Sequence, residues 1–336
     1  MKKLSLAFGL ALALALGGYF GFAEIAKGIQ GAGWGVLAVI AFHPVQMIFS
    51  ALAWQALLPT PPVPGLIVFM RLRWIREGVN SLLPTALMGG EVVAARLLRH
   101  AGVPLAAGGA AVTVDLTMEF LSQIIFTLIG LALLIPVLNE PAIVPWTFGA
   151  VALGSAAVVA LVAAQRFGLF QLIERGLVKL AERGQAWSAL GEIAGLHRAL
   201  VALYAAPARL GRAFAHHLIS WLLGGFEVML ALHFLGASVD FREGLIIESL
   251  GQAFRAVGFA VPGALGVQEG GFIIVCGLFG ISPQAAIELS LLKRIREVAL
   301  GIPALIAWQV IETRRLVDRA GTQASLPAGA EGDLMS

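Results

Sequence analysis

Residues 84–91 read PTALMGGE, and residues 262–269 read PGALGVQE. The two octapeptides lie 178 residues apart, and the same offset carries Gly102 onto Gly280, Ala107 onto Ala285 and Glu119 onto Glu297. Each interrupts an apolar stretch with Pro and Gly, residues that break or weaken a helix interior. Each then sets a carboxylate, Glu91 or Glu269, just past the break. Interrupted hydrophobic segments at corresponding places in two halves of a chain point to a transport site built on a repeat.

The surrounding chain suits a bilayer. Of its 336 residues, 59% are hydrophobic and 13% charged, against roughly 25% charged in soluble domains; its mean hydropathy is +0.88. This composition excludes a soluble enzyme and a nucleic-acid-binding domain. It defines an integral membrane protein. The 40 glycines suit helices that approach closely in lipid. Cys276 stands alone, which excludes an internal disulfide or a cysteine metal cluster, and the six histidines lack metal-ligand spacing. There is no P-loop, so no ATP-driven step, metal or other cofactor is expected. The adjacent pair His216 and His217 is read as interfacial.

The hydropathy pattern predicts an all-α polytopic protein with about six spanning helices. The spans fall at 4–22, 33–57, 105–135, 143–164, 213–236 and 283–311. The stretch 4–22 follows Lys2 and Lys3 and has the look of a signal peptide, but is read as an uncleaved first helix. Two further stretches, 65–99 and 244–280, are apolar but broken. The first carries Arg71, Arg73, Arg76 and Glu77. Each charge at a helix centre costs about 2.5–3.5 kcal/mol on insertion scales, so this segment cannot face lipid alone. It must lie at the interface or re-enter against protein.

Lysines and arginines set the orientation. Residues 165–212 hold seven arginines and lysines and resemble an amphipathic interfacial segment, whereas 136–142 hold none. Both termini and the basic loop are therefore expected in the cytoplasm, with a disordered tail over 317–336 after one transmembrane domain, 1–316. Followed through the bilayer, the repeat elements 65–135 and 244–311 enter from opposite sides, which makes them an inverted repeat.

Glu91 and Glu269 head the candidate site residues, flanked by Gly90, Gly266 and Gln268. They are read equally as proton- or headgroup-contacting groups and as caps of the broken helices. The glycine pairs Gly89–Gly90 and Gly270–Gly271 are read as packing positions. Asp115 and Glu119 share a helix face, and at the related positions stand Lys293 and Glu297, with Arg294 and Arg296 nearby and Arg255 before the second break. The first half thus offers acids where the second offers bases. Two readings stay open: a buried ion-pair network joining the halves, or an anionic-headgroup site built from Arg255, Lys293, Arg294 and Arg296. Glu227 and Glu248 rank lower, and Arg96 and Arg99 are read as interfacial.

The stretches RWIREGVNSLLPTALMGGEVVAARLL, GVPLAAGGAAVTVDLTMEFLSQ and VPGALGVQEGGFIIVCGLFGISPQAAIELSLLKRIREVALGIPALIAWQ resemble the flippase-like family that shares the lysylphosphatidylglycerol synthase transmembrane region. The run of Lys293, Arg294, Arg296 and Glu297 is similar to that of its hopanoid-associated subgroup. The resemblance implies a multi-pass protein of the bacterial inner (cytoplasmic) membrane that moves lipids between leaflets. Its implied partners are the bilayer, a hopanoid or other isoprenoid lipid or phospholipid, and hopanoid biosynthesis enzymes. Larger members carry a soluble aminoacyl-transferase domain; none is recognised here, so aminoacyl transfer is not expected. A lipid transporter is thus the leading expectation, with hydroxyls of the cargo meeting Glu91, Glu269 or Gln268. An intramembrane lipid-modifying enzyme with Glu91 or Glu269 as base, and a scaffold for hopanoid enzymes, are the alternatives.

Overall fold

A backbone in lipid must satisfy its own N–H and C=O groups, so the apolar runs of this chain close into helices. The computed structural model describes residues 30–58, 63–83, 89–137, 156, 187–257 and 267–324. They form α1 (Gly35–Ala56), α2 (Leu66–Leu82), α3 (Gly89–His100), α4 (Leu105–Leu134, extended by a 3-10 turn over Ile135–Val137) and α5 (Trp187–Tyr204). Then come α6 (Pro207–Phe234), α7 (Phe241–Val257), α8 (Val267–Gly277) and α9 (Pro283–Ala324). No strand occurs among the described residues. The protein is an all-α integral membrane protein.

Three helical stretches are long and apolar enough to cross a membrane: Gly35–Ala56, Leu105–Val137 and Pro207–Phe234. They fall on the expected spans 33–57, 105–135 and 213–236. The expected span 4–22 lies outside the described residues, as does 143–164 apart from residue 156. At 283–311 the chain forms part of α9, a single helix of 42 residues, about 63 Å long at 1.5 Å per residue. It continues to Ala324, so the expected disordered tail 317–336 begins as helix, and 325–336 lie outside the described residues. Of the expected interfacial segment 165–212, the described part from Trp187 onward forms α5 and the start of α6.

The repeat is visible in the backbone. Helices α3 and α8 begin at Gly89 and Val267, and α4 and α9 at Leu105 and Pro283, each pair 178 residues apart. Gly102 and Gly280, which follow α3 and α8, have φ of 92° and 72°, a left-handed conformation that glycine adopts without steric cost. The same helix-ending bond recurs at both: Val103 N donates to Leu98 O (3.3 Å) and Ile281 N to Cys276 O (3.1 Å). Burial recurs with different side chains. Ala94, Leu97, Leu98 and Val103 in one copy, and Phe272, Val275, Cys276 and Ile281 in the other, are all buried.

Helices α1 and α6 show that the repeat is inverted. Counting back by 178 maps 213–234 of α6 onto α1, and the two helices pack against each other. Phe42 stacks near Phe226 with ring centroids 5.3 Å apart, and Ser50 Oγ lies 3.1 Å from Ser220 Oγ. As the number rises along α1 it falls along α6, so the related helices run antiparallel. The two-fold axis therefore lies across the helices rather than along them. Helices α4 and α7 are packed the same way, with Gln123 Nε2 donating to Gln252 O (3.5 Å) and Arg242 Nη2 to Leu133 O (2.8 Å).

Two apolar cores result, one at each end of the bundle. The first gathers Ala53, Trp54, Phe69, Ile75, Leu98 and Val114; the second gathers Val39, Ile246, Phe272, Cys276, Leu289 and Leu292. Lipid tails are as apolar as these side chains, so close packing rather than transfer from water holds them together. That makes small residues at the crossings important. A Cβ on Gly78 of α2 would come within 2.8 Å of Ala304 Cβ and 3.1 Å of Gly301 O on α9, whereas one on Gly270 of α8 would meet nothing within 4 Å. Gly78→Ala is therefore expected to destabilise the protein by about 1–3 kcal/mol through overpacking. Gly270→Ala should stabilise it by up to about 1 kcal/mol through helix propensity. Thermal unfolding of the purified variants in one detergent checks the pair.

Candidate functional site

Between the two apolar cores lies a layer of buried charge. Arg73, Arg76, Glu77 and Asn80 stand on one face of α2 because they are three, four and seven residues apart. Arg76 is 3% exposed and reaches three carboxylates: Nε donates to Glu91 Oε1 (3.0 Å), Nη1 to Asp115 Oδ2 (2.5 Å) and Nη2 to Glu119 Oε2 (2.8 Å). Arg73 holds Glu119 with both terminal nitrogens, forming the fork that suits a guanidinium and a carboxylate. Asp115 is fully buried, and its other oxygen meets His217 Nε2 at 2.9 Å.

Asn80 ties the break to this cluster. Its Nδ2 donates to Glu91 Oε1 (3.0 Å), and its Oδ1 accepts from Gly90 N (2.8 Å). The first exposed amides of α3 are thus met in part by Asn80, so Glu91 is an ion-pair partner of Arg76 rather than the cap. A Cβ on Gly90 would collide with Arg76 O and come within 2.7 Å of Asn80 Oδ1; one on Gly271 would lie 2.5 Å from the Phe254 ring. Glycine is needed at both positions for close approach.

A second cluster gathers around His43 and Gln46 of α1. Glu227 of α6 accepts from Arg296 Nη1 at one oxygen and from Gln46 Nε2 (2.5 Å) at the other. Lys293 Nζ donates to Glu248 Oε2 (2.5 Å) and stands 4.0 Å from Glu227. Arg255 Nη1 donates to Glu297 Oε1 (2.5 Å). His43 of α1 lies between two acids, with Nε2 2.7 Å from Glu77 Oε1 and Nδ1 3.2 Å from Glu227 Oε2. Apart from these, Arg294 and Ser290 hold Glu269 Oε1, at 2.7 Å from Arg294 Nη2 and 3.2 Å from Ser290 Oγ.

Each expected site residue can now be placed. Glu91 and Glu269 occupy the same third position of α3 and α8, yet their partners differ: α2 supplies them to Glu91, α9 to Glu269. Asp115 and Glu119 do share a face, and Arg76 bridges them. The bases Arg255, Lys293, Arg294 and Arg296 do not converge on an open cradle; each holds its own carboxylate. Gln268 is 2% exposed, and Gly266 lies outside the described residues, as do both Pro/Gly breaks, 84–88 and 262–266.

Two expectations are corrected. The acids of the first half do not pair with the bases of the second: Asp115 and Glu119 are neutralised by Arg73 and Arg76 of their own half, and Lys293 by Glu248 of its own. Histidines make the buried charged links between halves instead, His217 to Asp115 and His43 to Glu227, beside the Gln46–Glu227 bond and the exposed Arg96–Glu312 pair. Secondly, His217 is not interfacial; it is 1% exposed. Arg73, Arg76, Glu77, His43 and His217 are therefore central residues that the repeat pattern did not single out. The 73/76/77/80 spacing was the available signal. Arg96 and Arg99 are exposed as expected.

Asp115, Glu119 and His217 offer ligand atoms within 4.8 Å of one another. Their oxygens already hold two guanidiniums, and a divalent cation there would face Arg73 and Arg76 at close range, so the arrangement is a guanidinium site. A small crevice, with room for about one water-sized molecule, opens beside the second cluster. Glu77, Ser81, Arg296, Glu297, Trp74 and Met47 line it. Trp74 spans it from α2, donating its indole N–H to Leu300 O on α9 (2.8 Å).

Fold and site together define a polytopic membrane protein whose two inverted halves enclose a paired, buried charge layer. The chain belongs to the family described as the lysylphosphatidylglycerol synthase TM region, which it matches over residues 5–304. No curated protein and no solved structure matches it. Arg76→Met should cost about 3–5 kcal/mol, because Glu91, Asp115 and Glu119 would be left buried against one another. Arg96→Met breaks the exposed pair with Glu312 and should cost under about 1 kcal/mol. Unfolding midpoints of the two variants in lipid nanodiscs test the contrast.

Proposed function

We propose that the protein translocates a lipid between leaflets, with the cargo's polar end entering between the two halves. Membership of this family supports a membrane protein of lipid handling. The single observation that carries the reading further is the buried charge layer beside a crevice. Ionisable groups inside a membrane protein are costly and mark substrate or ion pathways. Two buried acceptors add to this: Glu91 Oε2 and Gln268 Oε1 have no hydrogen-bond partner among the described residues. Both suit a hydroxyl donor on a lipid headgroup.

On this reading Glu91, Gln268 and Glu269, with Gly90 and Gly266 beside them, contact the cargo. Arg255, Lys293, Arg294, Arg296, Asp115, Glu119 and Glu297 form the polar wall along which its headgroup passes. The cargo is a hopanoid or a related isoprenoid lipid, a choice that rests on the likeness to the hopanoid-associated subgroup. The protein sits in a bacterial inner membrane with both termini in the cytoplasm. On this reading the lipid crosses without chemical change.

A leaflet-resolved assay in proteoliposomes holding a hydroxylated isoprenoid lipid tests this. Wild-type protein should move the lipid unaltered, and Glu91→Gln should slow it about tenfold, the equivalent of one lost charged hydrogen bond. Unslowed movement in both Glu91→Gln and Glu269→Gln would remove these carboxylates from the mechanism. Recovery of chemically modified lipid would make the protein an enzyme.

A further inference from the structure

His43 sits between two carboxylates that both need a donor from it. Its Nε2 lies 2.7 Å from Glu77 Oε1, and its Nδ1 lies 3.2 Å from Glu227 Oε2. A neutral imidazole carries a single N–H, and an ionised carboxylate can only accept. With one proton on the ring, one of the two contacts would set a nitrogen lone pair against a carboxylate oxygen in a buried place. The geometry therefore calls for one more proton than a neutral histidine and two ionised acids supply.

We propose that His43, Glu77 and Glu227 form a proton-binding site that couples proton movement to the opening of the two halves.

The groups around the ring decide where that proton resides. Both oxygens of Glu227 already accept from fixed donors, Arg296 Nη1 on α9 and Gln46 Nε2 on α1, so Glu227 is the permanent anion. Lys293, also on α9, stands 4.0 Å from it and donates to Glu248 on α7. The Glu77 carboxylate on α2 accepts a hydrogen bond from His43 (2.7 Å), and Arg73 of the same helix and Arg296 of α9 act on it through space. Glu77, Glu227, Glu248 and Glu297 face Lys293, Arg296 and Arg255 across this region.

Access separates the three members. The Glu77 side chain is 32% exposed and lines the crevice between α2 and α9, whereas His43 and Glu227 are 9% and 1% exposed. A proton from water in the crevice reaches Glu77 first and passes to His43 Nε2, leaving Glu77 ionised and the ring charged. Loaded, the ring holds α1 to α2 through Glu77 and to α6 through Glu227, which locks the two halves. Unloaded, the remaining N–H stays on Nε2 at the shorter contact to Glu77, the Nδ1 lone pair then faces Glu227, and the α1–α6 joint loosens. The site itself stands on geometry; its coupling to lipid movement rests on the translocation reading above.

The test uses the full chain, labelled with nitrogen-15 at histidine, in lipid nanodiscs, with the His43 signals assigned by their loss in His43→Gln. Both His43 ring nitrogens should be protonated at neutral pH. In Glu77→Gln, which keeps the side-chain shape, loss of the second proton should move down by about one pH unit or more. A wild-type ring with a single N–H at neutral pH, or a titration unmoved in Glu77→Gln, overturns the site. In proteoliposomes a pH gradient should change the rate of lipid movement, and His43→Gln should abolish that dependence. Lipid movement indifferent to the gradient overturns the coupling. No lipid movement at all overturns translocation, and the ring signals still decide the site.

Discussion

A guanidinium buried in a membrane protein has to be neutralised where it stands, and Arg76 shows how far this protein goes to do so. Three carboxylates from two helices meet one side chain: Glu91 of α3, Asp115 and Glu119 of α4. Without Arg76 they would repel one another; without them its charge would be prohibitively costly. That mutual need fixes α2 against α3 and α4. The exactness of the paired geometry also explains why α2, which has four charges in 17 residues, sits inside the bundle rather than spanning lipid by itself.

The two halves share a backbone plan and divide the chemistry. Matching helix starts, the paired glycine turns at Gly102 and Gly280 and the repeated burial pattern all obey one offset. The charges do not. Asp115 has Lys293 at its related position, and Glu91 and Glu269 draw their partners from different helices. Each half settles most of its own charge, and the buried ion pairs across the joint involve histidines: His217 of the second half on Asp115 of the first, His43 of the first on Glu227 of the second, where Gln46 also donates.

Much of this was legible in the sequence. The 178-residue offset located the starts of α3, α4, α8 and α9, since Pro and Gly interrupt helices wherever they fall. Three apolar runs became the three membrane-length helices because length and apolarity alone decide that. Arg73, Arg76 and Glu77 escaped as site residues because the repeat finds only what recurs, and their related positions hold Gly251, Phe254 and Arg255. His43 and His217 align with Trp221 and Val39 and were hidden for the same reason. Which acid meets which base depends on helix rotation, a tertiary property; it gave Asp115 both Arg76 of its own half and His217 of the second.

The account stands on two halves of opposite orientation, and the turns that begin α4 and α9 report it directly. With Cys276 replaced by serine, single cysteines at Ala101 and Ser282, both exposed in those turns, can be labelled by a membrane-impermeant maleimide in sealed vesicles of known orientation. Inverted halves place the two positions on opposite faces of the membrane, so each should label from one side and not the other, in complementary fashion. Labelling of both from the same side would contradict the inverted arrangement and with it the histidine joint built between the halves.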